Sequence, residues 1–483
     1  MNHPASYKDR RVVVLGLAKS GVSVARVFHG LGADVVVNDR KERESCPEAD
    51  ELTALGISVI CGYHPEDLIT SDTALLVKNP GIPYSIDPIQ RALELSVEVI
   101  TEVEVAYWLS PAPMIGITGS NGKTTTTTWI GEMLEAAGMN PIVAGNIGRP
   151  LCEAAAEASA DNWIVAELSS FQLKGTTAFR PRIALLLNLA ETHLDYHGDM
   201  DDYVASKAKL FANQTEEDIA ILNWDDSACR QLAEHGGLQA KVIPFSLTEQ
   251  LQQGVYVDPP YTSVQPEGTD SEEADEAVRH IVWRAPSEEP VALMTVAELG
   301  LPGRHNTANA MAALAACLAA GAAPELLTDS LRSFQGVEHR LEFVREAHGV
   351  KYYNDSKATN GTATSIAIRS FPGRVILLAG GLDRGSDYME LLPLFKERLI
   401  GLVALGETRQ KLGRVAELAG LTRVRLVEPE EDAESTLREA VRQAAAMGEP
   451  GDIVLLSPAC ASWDMFKSYE QRGSMFKNSV HTL

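Results

Sequence analysis

The chain has 483 residues, 45% of them hydrophobic and 22% charged, which is apolar material enough for about three ordinary domains. Its 42 Lys and Arg face 66 Asp and Glu, a net charge of −24 that argues against a nucleic-acid binder and obliges any site for an anion to gather its cations locally. Six scattered cysteines show no CxxC or zinc spacing, the N-terminal MNHPASYKDR lacks a secretory apolar region, and no apolar run approaches ~18 residues, so a cytoplasmic protein with reduced thiols and no membrane insertion is expected.

The first block opens with a strand at 11–17, a turn, a helix at about 22–31 and a strand at 34–38. Apolar segments recur at 58–60, 73–77 and 97–100, and this alternation predicts a parallel, doubly wound sheet. The first turn, Gly16-Leu17-Ala18-Lys19-Ser20-Gly21, resembles a dinucleotide loop, and Asp39 closes the second strand at about the ~20-residue offset of such folds. The central glycine of GxGxxG is missing. The turn therefore fits NAD weakly, and fits at least as well another phosphate-bearing nucleotide near Asp39, Arg40 or Lys41.

The second block starts near Thr101. Its run Met114-Ile-Gly-Ile-Thr-Gly-Ser-Asn-Gly-Lys-Thr-Thr125 passes from strand to glycine-punctuated turn, then to a lysine and hydroxyls opening an amphipathic segment. Gly119 and Gly122 would let backbone N–H groups approach an anion. The helix N-terminus adds partial positive charge, Lys123 a full one, and Thr124 a hydroxyl for Mg²⁺. Thr124 to Thr128 are poor helix formers, so propensity alone would not put a helix there. The loop departs from GxxxxGK[ST] because position 117 is Ile. Use of a nucleoside triphosphate is expected.

Near-continuous apolar runs at 163–167, 183–189, 219–222 and 241–245 suit strands buried on both faces. Glu167 ends the first of them, where a carboxylate can hold a divalent metal opposite the phosphate loop or cap a helix. The cluster Ala190-Glu-Thr-His-Leu-Asp-Tyr-His197 follows the second, with His193 and Asp195 in reach of a metal or phosphate and His197 capping or facing water. Residues 202–211 read as a helix on which Lys207 and Lys209, two apart, face different sides; both read as solvated, and the residues alone do not choose between them. The proline- and carboxylate-rich stretch 258–278 reads as a solvated hairpin loop or insertion, and the alanine-rich helix 306–320 as closely packed.

The third block begins near Val337, with strands at 350–354, 375–379, 402–405, 424–427 and 453–456 alternating with helices, a second open α/β sheet. Arg340, at its entrance, would neutralise a transferring phosphoryl group, and Asp355 and Lys357 lie on the polar turn after its first strand. In the segment from Ser457 to Gly473 the serines and Lys467 suit carboxylate recognition, while the aromatics read as core.

Together, GLAKSG, GITGSNGKTTT, AGNIG, AELSSFQL, NLAETHLDYHG, YVASKAKLF, LPGRHNTANA, EHRLEF, NDSKATN and SPACASWDMFKSYEQRG resemble the Mur ligase family, in family order over nearly the whole chain. The resemblance is strongest to its D-glutamate-adding members. It implies an α/β fold of three domains: a Rossmann-like UDP-substrate domain (1–101), a central P-loop ATPase domain with a mostly parallel sheet (102–336), and a Rossmann-like amino-acid domain (337–483). It also implies a monomer that uses ATP and two Mg²⁺ to join D-glutamate to UDP-N-acetylmuramoyl-L-alanine in peptidoglycan precursor synthesis. The alternatives are another amide ligase of the family or of the folylpolyglutamate type, a P-loop switch without ligase activity, and a NAD-linked oxidoreductase.

Carried over residue by residue, the resemblance assigns Gly119, Ser120, Asn121, Gly122, Lys123, Thr124, Thr125, Asn306, Asn309, Arg340 and Asp355 to ATP. Leu17, Ala18, Ser20, Asp39, Arg40 and Asn146 fall to the UDP-substrate, and Thr359, Arg384, Ser462 and Tyr469 to D-glutamate. Thr124, Glu167, His193 and Lys207 would hold metal, Lys207 as a carbamate formed from CO₂ and identified by its YxxxK spacing from Tyr203. Lys123, His193, Lys207 and Arg340 would be catalytic. Two positions depart from the family: Arg384 stands where a lysine is usual, and Tyr469 where Phe is frequent.

Overall fold

The computed structural model describes residues 3–190, 194–262, 277–334, 336–371 and 374–483. Three α/β sheets lie in two compact units, two sheets in the unit that runs to residue 334 and one in the unit beyond it.

The first sheet comprises β1 (Arg11–Leu15), β2 (Asp34–Asp39), β3 (Ser58–Cys61), β4 (Thr73–Lys78) and β5 (Val99–Ile100), all parallel in the order β3-β2-β1-β4-β5. The valine runs of β1 and β2 are buried on both faces, where β-branched side chains pack well between helical layers. β1 stops two residues earlier than expected, because Gly16 takes φ +99° and turns the chain. The helix Lys19–Gly30 starts before its first apolar residue, Val22, which is where the periodic signal begins.

Nine strands form the second sheet: β6 (Met114–Thr118), β7 (Pro141–Gly145), β8 (Trp163–Glu167), β9 (Ile183–Leu186), β10 (Ile219–Asn223), β11 (Lys241–Ser246), β12 (Gly254–Asp258), β13 (His280–Arg284) and β14 (Val291–Thr295). Their order is β14-β13-β12-β11-β10-β9-β6-β8-β7, parallel except for the antiparallel β12–β13 and β13–β14 pairs. The sequence reading missed β7, which opens on Pro141, and the short strands β12 to β14. Most of the acidic stretch joining β12 to β13, residues 263–276, lies outside the described residues. The helices Lys123–Ala136 and Arg304–Ala319 pack on this sheet. Trp129 is fully buried against Phe334, and residues 309–317 are buried without a break, the close packing expected of an alanine-rich helix.

In the second unit β15 (Glu342–Ala347), β16 (Val350–Asn354), β17 (Val375–Ala379), β18 (Leu399–Ala404), β19 (Val424–Leu426) and β20 (Ile453–Leu456) order as β15-β16-β20-β17-β18-β19. Only β15, unexpected from the sequence, runs antiparallel. Apolar clusters cover both faces, as a doubly wound sheet requires. Among the described residues no helix is long and apolar enough to cross a membrane. All six cysteines are free, and Cys61 alone of them is not fully buried.

Candidate active site

In open α/β sheets ligands gather beyond the carboxyl ends of the strands, and Asp39, Lys123, Glu167 and Asp355, singled out in the sequence, lie at or just past such ends in the three sheets. β6 delivers the turn from Gly119 to Gly122 directly onto the N-terminus of the helix Lys123–Ala136. Gly122 sits at φ +80°, and a Cβ there would run into the Asn309 amide. That contact places Asn309, buried in the helix Arg304–Ala319, against the loop. Asn306 instead donates its amide to the Pro302 carbonyl at 2.8 Å.

The loop is braced from the next strand. The chain leaves β9 at Leu186, three residues sooner than its apolar run implies, and Asn188 turns toward the loop. Its carbonyl accepts from the Ser120 amide (3.0 Å), and its side chain bonds the Asn121 N–H (2.8 Å) and carbonyl (3.2 Å). Lys123 Nζ folds back on the Gly119 and Ser120 carbonyls, both at 2.9 Å, which holds its charge over the loop. Thr124 is buried and Thr125 half-buried in the first helical turn. The sequence reading missed Asn188; a lone amide ending an apolar strand run was the available signal.

Glu167, at the end of β8, lies beside β6 in register with Ile117. Its Oε1 accepts from Asn146 Nδ2 at 2.8 Å, while its Oε2 is buried with no hydrogen-bond partner among the described residues. A buried carboxylate oxygen left without a donor fits a cation. No cluster of three His, Cys, Asp or Glu suited to a metal occurs among the described residues, and His193 lies outside them. Asn146, assigned by resemblance to the UDP-substrate, is thus also a partner of Glu167.

Of the two lysines read as solvated, Lys207 is buried and Lys209 half-buried. Lys207 is 2% exposed and donates to Thr118 Oγ1 (3.1 Å) and the Gly119 carbonyl (2.9 Å). Burial pushes its amine well below the usual range, the Lys123 charge adds to that, and Glu167 opposes it. Lys209 donates to the Lys174 and Thr176 carbonyls, away from the loop. His197, expected to cap or face water, is buried between Asp202 and Ser170. In both cases a partner distant in sequence supplied the burial that local pattern cannot report.

On the first sheet, Asp39 holds the turn after β1 in place: Oδ2 accepts from the Leu17 amide (2.8 Å) and Oδ1 from the Lys41 amide (2.9 Å). Ala18 and Arg40 stand exposed on either side. Ser20 reaches the buried Glu102, whose carboxyl is raised by burial against hydrogen bonds from Ser20 and the Cys152 amide.

In the second unit, Asp355, Thr359, Ser462 and Tyr469 follow the carboxyl ends of β16 and β20, and Arg340 lies just before β15. Burial pushes the Asp355 carboxyl up to about 7, against the Ser457 hydroxyl (2.8 Å), the Arg340 charge and the Leu341 amide. The folded chain then holds a proton that the unfolded chain, at 3.8, has released, so stability falls as pH rises from about 4 through about 7. Asp355→Asn should flatten that slope in urea unfolding of the full chain; an unchanged slope would contradict a buried acid. Ser356 Oγ donates to the Tyr469 carbonyl, and Ser462 is buried. Trp463, read as core, is 64% exposed with the Arg384 guanidinium 5.1 Å above its ring, an amphipathic stacking that lets an aromatic stay at the surface.

Residues 10–101 match the MurD-like N-terminal domain of Mur ligases, 117–317 the Mur ligase middle domain, and 339–460 the Mur ligase glutamate ligase domain. A curated UDP-N-acetylmuramoylalanine--D-glutamate ligase of Geobacillus kaustophilus is 47% identical over 478 residues, 99% of this chain and 98% of that one. The chain belongs to the Mur ligase family.

A Bacillus subtilis member of the family bearing the same name is 43% identical over the full length of both chains. Mur ligases of known structure share the fold at lower identity. MurF from Acinetobacter baumannii superposes with a TM-score of 0.55 at 17% identity, covering 97% of this chain and 93% of its own. MurC from Thermotoga maritima gives 0.54 at 17%, covering 98% and 99%. The α/β architecture expected of a Mur ligase is therefore what this chain adopts.

Proposed function

We propose that this Mur ligase joins D-glutamate to UDP-N-acetylmuramoyl-L-alanine at the expense of ATP. One observation carries the reading: relatives matching the chain end to end are named UDP-N-acetylmuramoylalanine--D-glutamate ligases. The phosphate loop beside the unpartnered Glu167 oxygen supports the ATP-dependent part. In this reading residues 1–101 hold the UDP-substrate, 102–336 ATP, and 337–483 the amino acid, in a cytoplasmic monomer with small-molecule partners only.

The muramoyl-alanine carboxylate attacks the γ-phosphorus of ATP, ADP leaves, and an acyl phosphate forms. The D-glutamate amine then attacks the acyl carbon, loses a proton, and phosphate departs from the tetrahedral intermediate. The first step drives one anion onto another. At ~4 Å and an effective dielectric of ~20, each such charge pair costs about 4 kcal/mol. Lys123 and Arg340 offset that repulsion from the protein side. Mg²⁺ held by Thr124, Glu167, His193 and Lys207 would neutralise charge between the reacting groups.

Lys207 joins that set through a carbamate. Burial pushes its amine below the usual range, which favours the free lone pair that attacks the carbon of CO₂; loss of a nitrogen proton then leaves a carbamate anion. Thr359, Arg384, Ser462 and Tyr469 take D-glutamate.

A coupled assay of ADP release tests the specificity. With UDP-N-acetylmuramoyl-L-alanine present, D-glutamate should support turnover, and L-glutamate, D-alanine and diaminopimelate should not. Preference for another amine would assign the chain to a different branch of the family.

A further inference from the structure

The helix Met200–Ala208 carries both Tyr203 and Lys207 to the phosphate loop. Near its C-terminal end Lys207 bonds Thr118 and Gly119; one turn earlier Tyr203 Oη meets Ser120 Oγ at 2.8 Å. Its first turn is tied elsewhere. His197 Nδ1 lies 2.6 Å from Asp202 Oδ2, and His197 Nε2 lies 2.9 Å from Ser170 Oγ. Ser170 is the first residue of the helix Ser170–Lys174, three residues past Glu167. Lys174 of that same helix also bonds the Asp202 carboxylate, 2.9 and 2.7 Å from its two oxygens. Two elements are thereby clamped, the helix that begins three residues after Glu167 and the helix that bears Lys207.

The imidazole at the centre is sealed. Its side chain has no exposure, Phe171 stacks on it at 5.4 Å, and Tyr196 and Tyr203 pack edge-on at 5.1 and 5.4 Å. A buried ring nitrogen without a partner is costly, so both bonds must persist for the cage to stay closed. Asp202 is desolvated, yet the Lys174 and His197 bonds hold its carboxyl below the usual range. An ionised Asp202 only accepts, so Nδ1 presents its N–H to Asp202, and Nε2 shares a hydrogen bond with the Ser170 hydroxyl. An imidazole hydrogen-bonded at both ring nitrogens is a rigid spacer of fixed length.

We propose that His197 is a positioning residue of the cation site. Through Ser170 and Asp202 it sets the separation between the turn after Glu167 and the helix of Lys207. The idea rests on the reading above that Glu167 and Lys207 serve the cation. The ring itself touches no reacting atom. Outer partners of this kind typically govern metal affinity by about 10- to 100-fold when removed.

The test measures Mn²⁺ binding to the full-length protein with a non-hydrolysable ATP analogue, free Mn²⁺ being read by electron paramagnetic resonance. His197→Phe keeps the stacked ring and deletes both hydrogen bonds; Mn²⁺ affinity should fall about 10-fold or more. His197→Gln can donate to Asp202 and accept from Ser170, and should restore most of that affinity although its packing is poorer. Wild-type affinity in His197→Phe, or equal losses in both variants, would reduce His197 to packing and overturn the proposal. Should His197→Phe not fold, Ser170→Ala carries the test: weakened Mn²⁺ binding supports the clamp, and unchanged binding overturns it. Glu167→Gln separates the two layers. If it binds Mn²⁺ as the wild type does, the cation-site reading itself fails; if it loses Mn²⁺ while His197→Phe does not, only the clamp does.

Discussion

Lys123→Ala should abolish ligase turnover while leaving the fold intact. The ammonium caps a loop whose backbone is already organised by Asn188 and by the helix N-terminus, so the loop should survive its loss. What disappears is the full positive charge opposing two approaching anions. One charge pair at ~4 Å and an effective dielectric of ~20 amounts to about 4 kcal/mol, or about three orders of magnitude in rate. ADP formation measured with saturating D-glutamate and UDP-N-acetylmuramoyl-L-alanine, together with a circular dichroism spectrum, decides it. A folded variant within about tenfold of wild type would remove Lys123 from the chemistry.

Lys207→Ala should be equally severe for a different reason, and partly reversible. The side chain is buried against Thr118 and the loop carbonyl, so its removal leaves a polar hole instead of a solvated surface. If the working group is a carbamate, a short-chain carboxylate such as acetate can enter that hole and supply the missing oxygens. Turnover of the variant should then rise with acetate, and turnover of the wild type should depend on bicarbonate. Failure of rescue, with an unmodified lysine seen by mass spectrometry and crystallography, would leave Lys207 acting only as an amine. Lys209 offers the contrast. Its bonds reach the Lys174 and Thr176 carbonyls, and Lys209→Ala should keep turnover near wild type.

Why one of these lysines was legible and the other was not is a matter of range. The phosphate loop is a local object. Glycines set its backbone and Lys123 follows two residues after Asn121, so twelve consecutive residues display both the fold and the chemistry. The same holds for the valine strands of the first sheet and for Glu167, which ends an apolar run at the edge where ligands bind. Lys207 lies in a polar helix of nine residues and Lys209 caps it, and nothing near them says which is buried. That is decided by Thr118, 89 residues away in the chain. Only the family resemblance distinguished them beforehand.

His197 failed in the same way. Read alone it is a histidine in a polar segment; its partners Ser170 and Asp202 come from two other elements, and the aromatic cage exists once those elements pack. Strands β12 to β14 were lost because short runs flanking an acidic stretch give weak alternation, whereas pairing of β12 on β11, β13 on β12 and β14 on β13 supplies the missing stabilisation. Trp463 ran the other way: its apolar ring suggested core, and a guanidinium from a distant loop keeps it at the surface.

From sequence alone, then, came everything written in neighbouring residues: the strand and helix alternation, the phosphate loop, and the carboxylate at a strand end. Tertiary structure decided which polar groups were withdrawn from water, and so which lysine is buried with its amine pushed below the usual range, that the Glu167 Oε2 lacks a donor among the described residues, and which histidine is clamped. Burial is the sum of contacts from segments far apart in the chain, and no local pattern carries it.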